Sequence, residues 1–388
     1  MNRNILTQLR DHEEIKEVYV HRFLFVLAFT LISVFLPIYV FNKTNSLTTV
    51  MVFFAVYSGT GLLTSLPVAK LAATVGYKKT ALVSSPFTLV FYNLMRTLES
   101  SNPMIYLFAV IGGISFNMYW IGMNAEISKS SNKEERNKET GAIFLIPILA
   151  SIASPYIGGW ISEVYGFNTL FLTVIILIGA SFIPFIFSFE HFEKNDYTLN
   201  SFFKKEKIVE FKTFFLQGFT FAGYFELWPL YVGYLVSGSM VLGIVGSLRE
   251  IGGAIISVYL GKKMFKTNRY KFLNNGVILY ILTALAITFT QTPMIVFIIS
   301  FLNGVSMRNI EIPIFAGILG KAKEGERLGY FAFREFAIAG GRVTLFVILA
   351  ILFHLLDPLA GFRTGFIIIS VAVLCLRFTS KKVELEKN

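Results

Sequence analysis

Residues 190–207 read EHFEKNDYTLNSFFKKEK, the longest polar connection in the chain, and they lie at the middle of its 388 residues. On both sides stand apolar runs. Those before the connection fall at about 20–41, 48–69, 80–97, 104–126, 140–162 and 169–189; those after it at 210–235, 239–261, 272–290, 293–317, 329–353 and 358–378. A helix crosses the roughly 30 Å hydrocarbon core with about 20 mostly apolar residues. Only helices and closed barrels satisfy their backbone in lipid, and these runs are too long and too continuously apolar for barrel strands. The pattern predicts an all-α integral membrane protein with twelve transmembrane helices in two six-helix bundles. Its parts are an N-terminal segment (1–19), a first bundle (20–189), a linker (190–208), a second bundle (209–378) and a tail (379–388).

Composition supports a membrane protein and excludes several other classes. The chain is 54% hydrophobic with 41 Phe, only 15% of it is charged, and mean hydropathy is +0.63; soluble domains carry about 25% charge. The single Cys375 excludes a disulfide framework and a cysteine zinc site. His12, His21, His191 and His354 are too scattered for a metal or acid/base cluster, which argues against a membrane-embedded transferase. No Gly-rich phosphate loop ending in Gly-Lys-Ser/Thr occurs, which argues against an ATP-driven pump. No cofactor or metal is expected.

The net charge of +11 would suggest nucleic acid in a soluble protein, but Lys and Arg beside membrane spans mark the cytoplasmic face. The odd-numbered connections hold only Lys43, Arg96 and Arg363, and Arg249, Arg308, Arg334 and Arg342 lie inside spans. The remaining Lys and Arg gather in the N-terminus, the even-numbered connections and the tail. Both termini and the linker are therefore expected in the cytoplasm, with no nucleic-acid partner. Residues 1–19 are polar and the first apolar run is long enough to span, so a cleavable signal peptide is not expected.

A 6 + 6 layout suggests a duplicated transporter. Asn124-Ala-Glu126-Ile127, at the inner end of the fourth run, recurs as Asn309-Ile-Glu311-Ile312 at the inner end of the tenth. That placement in both halves points to a parallel repeat. Glu126 and Glu311 become candidate cytoplasmic gate residues.

Two short motifs carry a family resemblance. After the second run stands AKLAATVGYKK (69–79); Gly76, Lys78 and Lys79 match the tight cytoplasmic turn between helices two and three of the major facilitator superfamily, while Ala69 and Ala73 replace the usual Gly and Asp. In the fifth run ASIASPYIGGW (150–160) resembles that family's G-x-x-x-G-P-x-x-G-G element, with Ala150 and Ser154 in place of glycines and Pro155, Gly158 and Gly159 retained. Small residues at four-residue spacing let helix backbones approach closely, and the proline bends the helix there. The resemblance implies two bundles rocking about a midplane site, with runs one, four, seven and ten lining the cavity. In the family this element is associated with antiporters.

Charges inside lipid carry the functional expectations, because each costs about 2.5–3.5 kcal/mol on insertion scales unless it faces a cavity or a partner. They concentrate in the second half: Glu226, Arg249, Glu250, Arg308, Glu311, Arg334, Glu335 and Arg342. Arg308 and Glu311, three apart, can neutralise one another. Arg249-Glu250 and Arg334-Glu335 are sequence neighbours, so each is expected to seek partners on other helices; with Arg342 and Glu126 they are candidate gate bridges. Glu226 has no base later in its own run than Lys212, and such a carboxylate suits a group that loads and unloads a proton. The alternative pairs it with Arg249 or Arg308. Glu311 and Glu335 are the other proton-coupling candidates. Asn117, Trp120, Asn124, Trp228, Asn303 and Arg308 are the candidate substrate ligands.

These readings point to a secondary transporter in the cytoplasmic (plasma) membrane, not an enzyme, moving a small solute as a monomer. Proton-coupled export of an amphipathic or drug-like compound is the first expectation. Uptake or exchange of a small organic anion, held by Arg308 or Arg342, is the second, and a non-transporting receptor is a rival of another class.

Overall fold

A computed structural model describes residues 2–100, 102–130, 136–186, 204–236, 238–263, 269–290, 292–321 and 327–385. Among these residues every regular element is helical: α1 (Asn2–Ser33), α2 (Leu36–Thr44), α3 (Leu47–Val75), α4 (Tyr77–Arg96), α5 (Ile105–Ser130), α6 (Arg136–Val164), α7 (Gly166–Ile186), α8 (Ile208–Ala222), α9 (Trp228–Leu235), α10 (Ser239–Lys263), α11 (Arg269–Ile287), α12 (Pro293–Lys321), α13 (Arg327–Leu355) and α14 (Pro358–Leu385). A 3₁₀ turn, Lys205–Lys207, leads into α8, and a π turn, Gly223–Leu227, joins α8 to α9. Most of the expected linker lies outside the described residues. Helix α1 starts at Asn2, so the expected N-terminal segment continues the helix of the first run.

Local chemistry explains the joints. Pro37 sits in the first turn of α2, where its missing N–H is tolerated but where it cannot continue α1. Gly76 alone separates α3 from α4 at φ +99°, a conformation costly for any residue with a Cβ. At the head of α3, the Ser46 hydroxyl accepts from the Thr49 N–H at 3.1 Å, satisfying one of the donors left free at a helix start.

Nine helical segments among the described residues are long and apolar enough to cross a membrane: Glu17–Thr44, Leu47–Val75, Ile105–Lys129, Gly166–Ile186, Ser239–Lys263, Arg269–Ile287, Pro293–Ile318, Arg327–Leu355 and Pro358–Lys381. The expected spans at α4, α6 and α8–α9 are not among them. Helix α4 carries Lys78, Lys79 and Arg96, and the α8–α9 stretch is divided by its π turn into helices of 15 and 8 residues.

Packing follows one pattern twice. In the first half α1 packs on α6 and α7, α4 on α5 and α7, and α3 on α5; in the second α8 packs on α13 and α14, α11 on α12 and α14, and α10 on α12. The halves meet where α3 lies along α13 and α6 along α10. Close approach at the second junction depends on small residues. A Cβ on Gly159 would stand 2.8 Å from the Ser239 carbonyl oxygen, and one on Gly246 2.7 Å from Pro155 Cβ, while Gly158 faces the Leu31 backbone of α1. Ala150 and Ser154 are buried on the same helix, and the Ser154 hydroxyl donates to the Ala150 carbonyl at 2.5 Å.

Candidate functional site

The π turn is where α8–α9 departs from regular geometry, and single π turns recur at functional sites. It carries Glu226, whose Oε1 accepts from Arg342 Nη2 of α13 at 2.6 Å. Arg342 Nε in turn donates to Ser58 Oγ of α3 at 3.2 Å. One guanidinium thus ties α13 to the π turn of its own half and to the other half. Both partners of the pair are only 10% exposed, so losing either would leave a desolvated charge, typically about 3–5 kcal/mol. The second carboxylate oxygen of Glu226 is buried with no hydrogen-bond partner.

Neither expected partner of Glu226 is the one it has. Close crossing of α8 on α13 decides this: a Cβ on Gly218 would lie 3.0 Å from the Arg342 nitrogen and 3.0 Å from Gly341 Cα. That contact brings position 342 alongside α8.

Arg249 has a different environment. Its Nη2 donates to the Tyr224 carbonyl at 2.5 Å, and its guanidinium lies 3.7 Å from the Tyr224 ring centre and 5.9 Å from that of Trp228. Its Nε is buried without a partner. Arg308 bridges two acids, Glu311 at 2.5 Å and Glu250 on α10 at 3.6 Å. The Arg308 and Glu311 side chains keep 28% and 26% exposure, so this trio reaches an open face of α12.

Arg334 and Glu335 bond each other at 2.5 Å, a pairing that the expectation of partners on other helices did not include. Adjacent helical positions diverge by about 100°, but the arginine stem is long enough to curl back. Glu335 also accepts from Asn124 Nδ2 of α5 at 3.4 Å, a second link between the halves.

At the turn after α3, Lys78 is buried and lies 3.9 Å from Glu126 of α5 and 3.9 Å from Glu17 of α1, while Lys79 is exposed. The acid missing from the turn at Ala73 is thus supplied by two other helices.

The remaining candidate ligands divide. Trp228 is buried, with Nε1 donating to Ser300 Oγ at 3.3 Å, and its ring borders Arg249. Asn117 donates to Thr64 Oγ1 at 2.9 Å and Asn303 to Thr283 Oγ1 at 3.4 Å, each inside its own half. Trp120 packs beside Phe116 and Tyr119. A cavity of about 30 Å³, water-sized, lies between α1, the α8–α9 stretch and α10, lined by Phe29, Thr30, Tyr224, Phe225, Arg249 and Glu250 among others. Asn117, Asn303 and Trp120 do not line it. Among the described residues no group of three His, Cys, Asp or Glu side chains could hold a metal ion.

Sequence reasoning missed Ser58, Phe29, Thr30 and Glu163. Glu163, at the end of α6, accepts from the Met240 N–H in the first turn of α10 at 2.7 Å. Nothing in a lone serine or a helix-end glutamate signals a partner in the opposite half.

The family model described as Major Facilitator Superfamily matches residues 18–316. Among solved structures, the human organic anion transporter MFSD10 (TETRAN) is similar over 95% of this chain and 99% of its own, at TM-score 0.69 and 14% identity. The nucleoside transporter NupG is similar over 95% of this chain and 98% of its own, at TM-score 0.66 and 12% identity. At such identities the likeness speaks for the fold alone. No curated protein matches the chain. With a family model matched over most of its length and transporter folds as structural neighbours, the chain belongs to the Major Facilitator Superfamily.

Proposed function

We propose that this protein is a secondary active transporter in which twelve spans form two six-helix bundles that rock about a central site. Both termini and the linker are cytoplasmic, and the protein works as a monomer in the plasma membrane. The transported solute is a small amphipathic or drug-like compound, exported in exchange for protons. The observation that carries this reading is the junction of Glu226, Arg342 and Ser58, where a buried carboxylate on a π turn is held by the same guanidinium that reaches the other half. Its second oxygen has no partner and is a place for a proton. Protonation there weakens the bond to Arg342, and with it the tie between α13 and α3, so proton loading and rocking become one event. Asn124 and Glu335, which bond across the two halves, then act as a gate contact that forms and breaks between states, whereas the ion pairs of Glu250, Arg308 and Glu311 stay within the second half.

The test is flux in proteoliposomes with and without a pH gradient. Wild-type protein should concentrate a substrate against its gradient when protons run the other way. Glu226→Gln should abolish that while leaving downhill exchange largely intact; a Glu226→Gln protein that still concentrates substrate would reject the role and move it to Glu311 or Glu335.

A further inference from the structure

We infer that Arg249 holds an anionic group of the transported solute, in the cavity between α1, the α8–α9 stretch and α10, and that the solute is an organic anion with an aromatic body. This rests on the transport reading above and specifies its substrate class. Arg249, Arg308, Arg334 and Arg342 are the four arginines of the second half expected inside the membrane. Arg308 is held by Glu250 and Glu311, Arg334 by Glu335 and Arg342 by Glu226. Arg249 alone of the four has no carboxylate within 4.0 Å among the described residues. It is nevertheless 3% exposed, and an arginine so buried ordinarily has a charged partner.

Its donors are largely unused. A guanidinium offers five N–H groups; one donates to the Tyr224 carbonyl and the Nε has no partner. The guanidinium lies over the Tyr224 ring, 3.7 Å from its centre, and is tethered to the Tyr224 carbonyl, so the group is held in place before any ligand arrives. Planar, oriented guanidinium matches carboxylate or sulfonate oxygens.

The walls define the rest of the solute. Phe29, Tyr224 and Phe225 face the cavity beside Arg249, and rings prefer offset-stacked or edge contacts with other rings. Glu250 also lines the cavity, but its carboxylate is engaged by Arg308 at 3.6 Å, while a cationic solute would meet Arg249 without a neutralising group. At about 30 Å³ the cavity is water-sized in this conformation, and the solute enters when α1 and α10 part.

The experiment uses three probes with one aromatic body: naphthoate, naphthamide and naphthylmethylammonium, bound at equilibrium to purified full-length protein and read by quenching of tryptophan emission. Wild type should bind naphthoate at least about tenfold more tightly than naphthamide and the ammonium weakest. Arg249→Gln should bring naphthoate down to the naphthamide level while leaving naphthamide itself unchanged, which also reports an intact fold. Arg249→Lys should keep part of the preference, and Arg363→Gln, at an exposed position of α14, all of it. Equal affinities in wild type overturn the proposal without any variant, as does a preference that survives in Arg249→Gln or disappears equally in Arg363→Gln. The transport reading is judged separately by gradient-driven flux: flux without anion preference overturns the anion site alone, whereas an Arg249-dependent preference without flux supports the site and overturns the transport reading.

Discussion

Glu163 and Met240 stand in opposite halves, and the Glu163 carboxylate caps the first turn of α10 by accepting the Met240 N–H at 2.7 Å. A carboxylate at a helix N-terminus satisfies a free donor and favours the dipole, together about 1 kcal/mol. The bond exists only while the ends of α6 and α10 stay together, on the outer face in the proposed topology. Glu163→Ala should therefore shift the ensemble towards outer-face opening, by about fivefold in population, and Glu163→Gln by less. Spin-label distances between the ends of α6 and α10 measure this; identical distributions in wild type and Glu163→Ala would remove the latch.

Lys78 is buried between Glu126 and Glu17. Replacing it with Met leaves two acids facing an apolar stem, and losing one member of a buried pair costs about 3–5 kcal/mol. Lys78→Met should lower the melting temperature markedly. Adding Glu126→Met should recover part of the loss, because the two positions couple. Simple additivity of the two losses would show that the contact contributes nothing.

Much of the fold was legible because lipid imposes a harsh pattern: the apolar runs at 48–69 and 358–378 became α3 and α14, which start within one residue of the runs and continue to Val75 and Leu385. The self-pair of Arg308 and Glu311 followed from helical spacing alone. The partner of Glu226 was not legible, since Arg342 lies 116 residues away and reaches it only through the crossing of α8 on α13. The curl of Arg334 onto Glu335 was missed because spacing rules describe where stems start and not how far a flexible arginine bends. The π turn left no readable signal in Gly223–Leu227.

Arg342→Met should separate stability from coupling. Alone, it leaves Glu226 buried without its base and should lower the melting temperature and abolish gradient-driven transport. Combined with Glu226→Gln, it removes both charges, and replacing a buried ion pair as a unit is often close to neutral. The double variant should melt near wild type yet remain uncoupled. A double variant that transports against a gradient would place coupling elsewhere.

Gly341 tests whether helix crossing, rather than the charged groups themselves, sets the geometry of the junction. A Cβ there would collide with the Phe215 carbonyl of α8 and lie 3.2 Å from Gly218 Cα. Both obstacles are backbone, so neither can rotate aside. Gly341→Ala must push α13 from α8, and it does so one residue before Arg342, whose bond to Glu226 spans that gap. The variant should lose gradient-driven transport and melt lower although every charged side chain is retained. Gly179→Ala is the matched control: a Cβ at Gly179 meets nothing within 4 Å, and alanine in a helix interior is favoured over glycine by roughly 0.5–1 kcal/mol. That variant should transport normally and melt at or slightly above wild type. If Gly341→Ala transports as well as Gly179→Ala, the close crossing of α8 and α13 does not position Arg342.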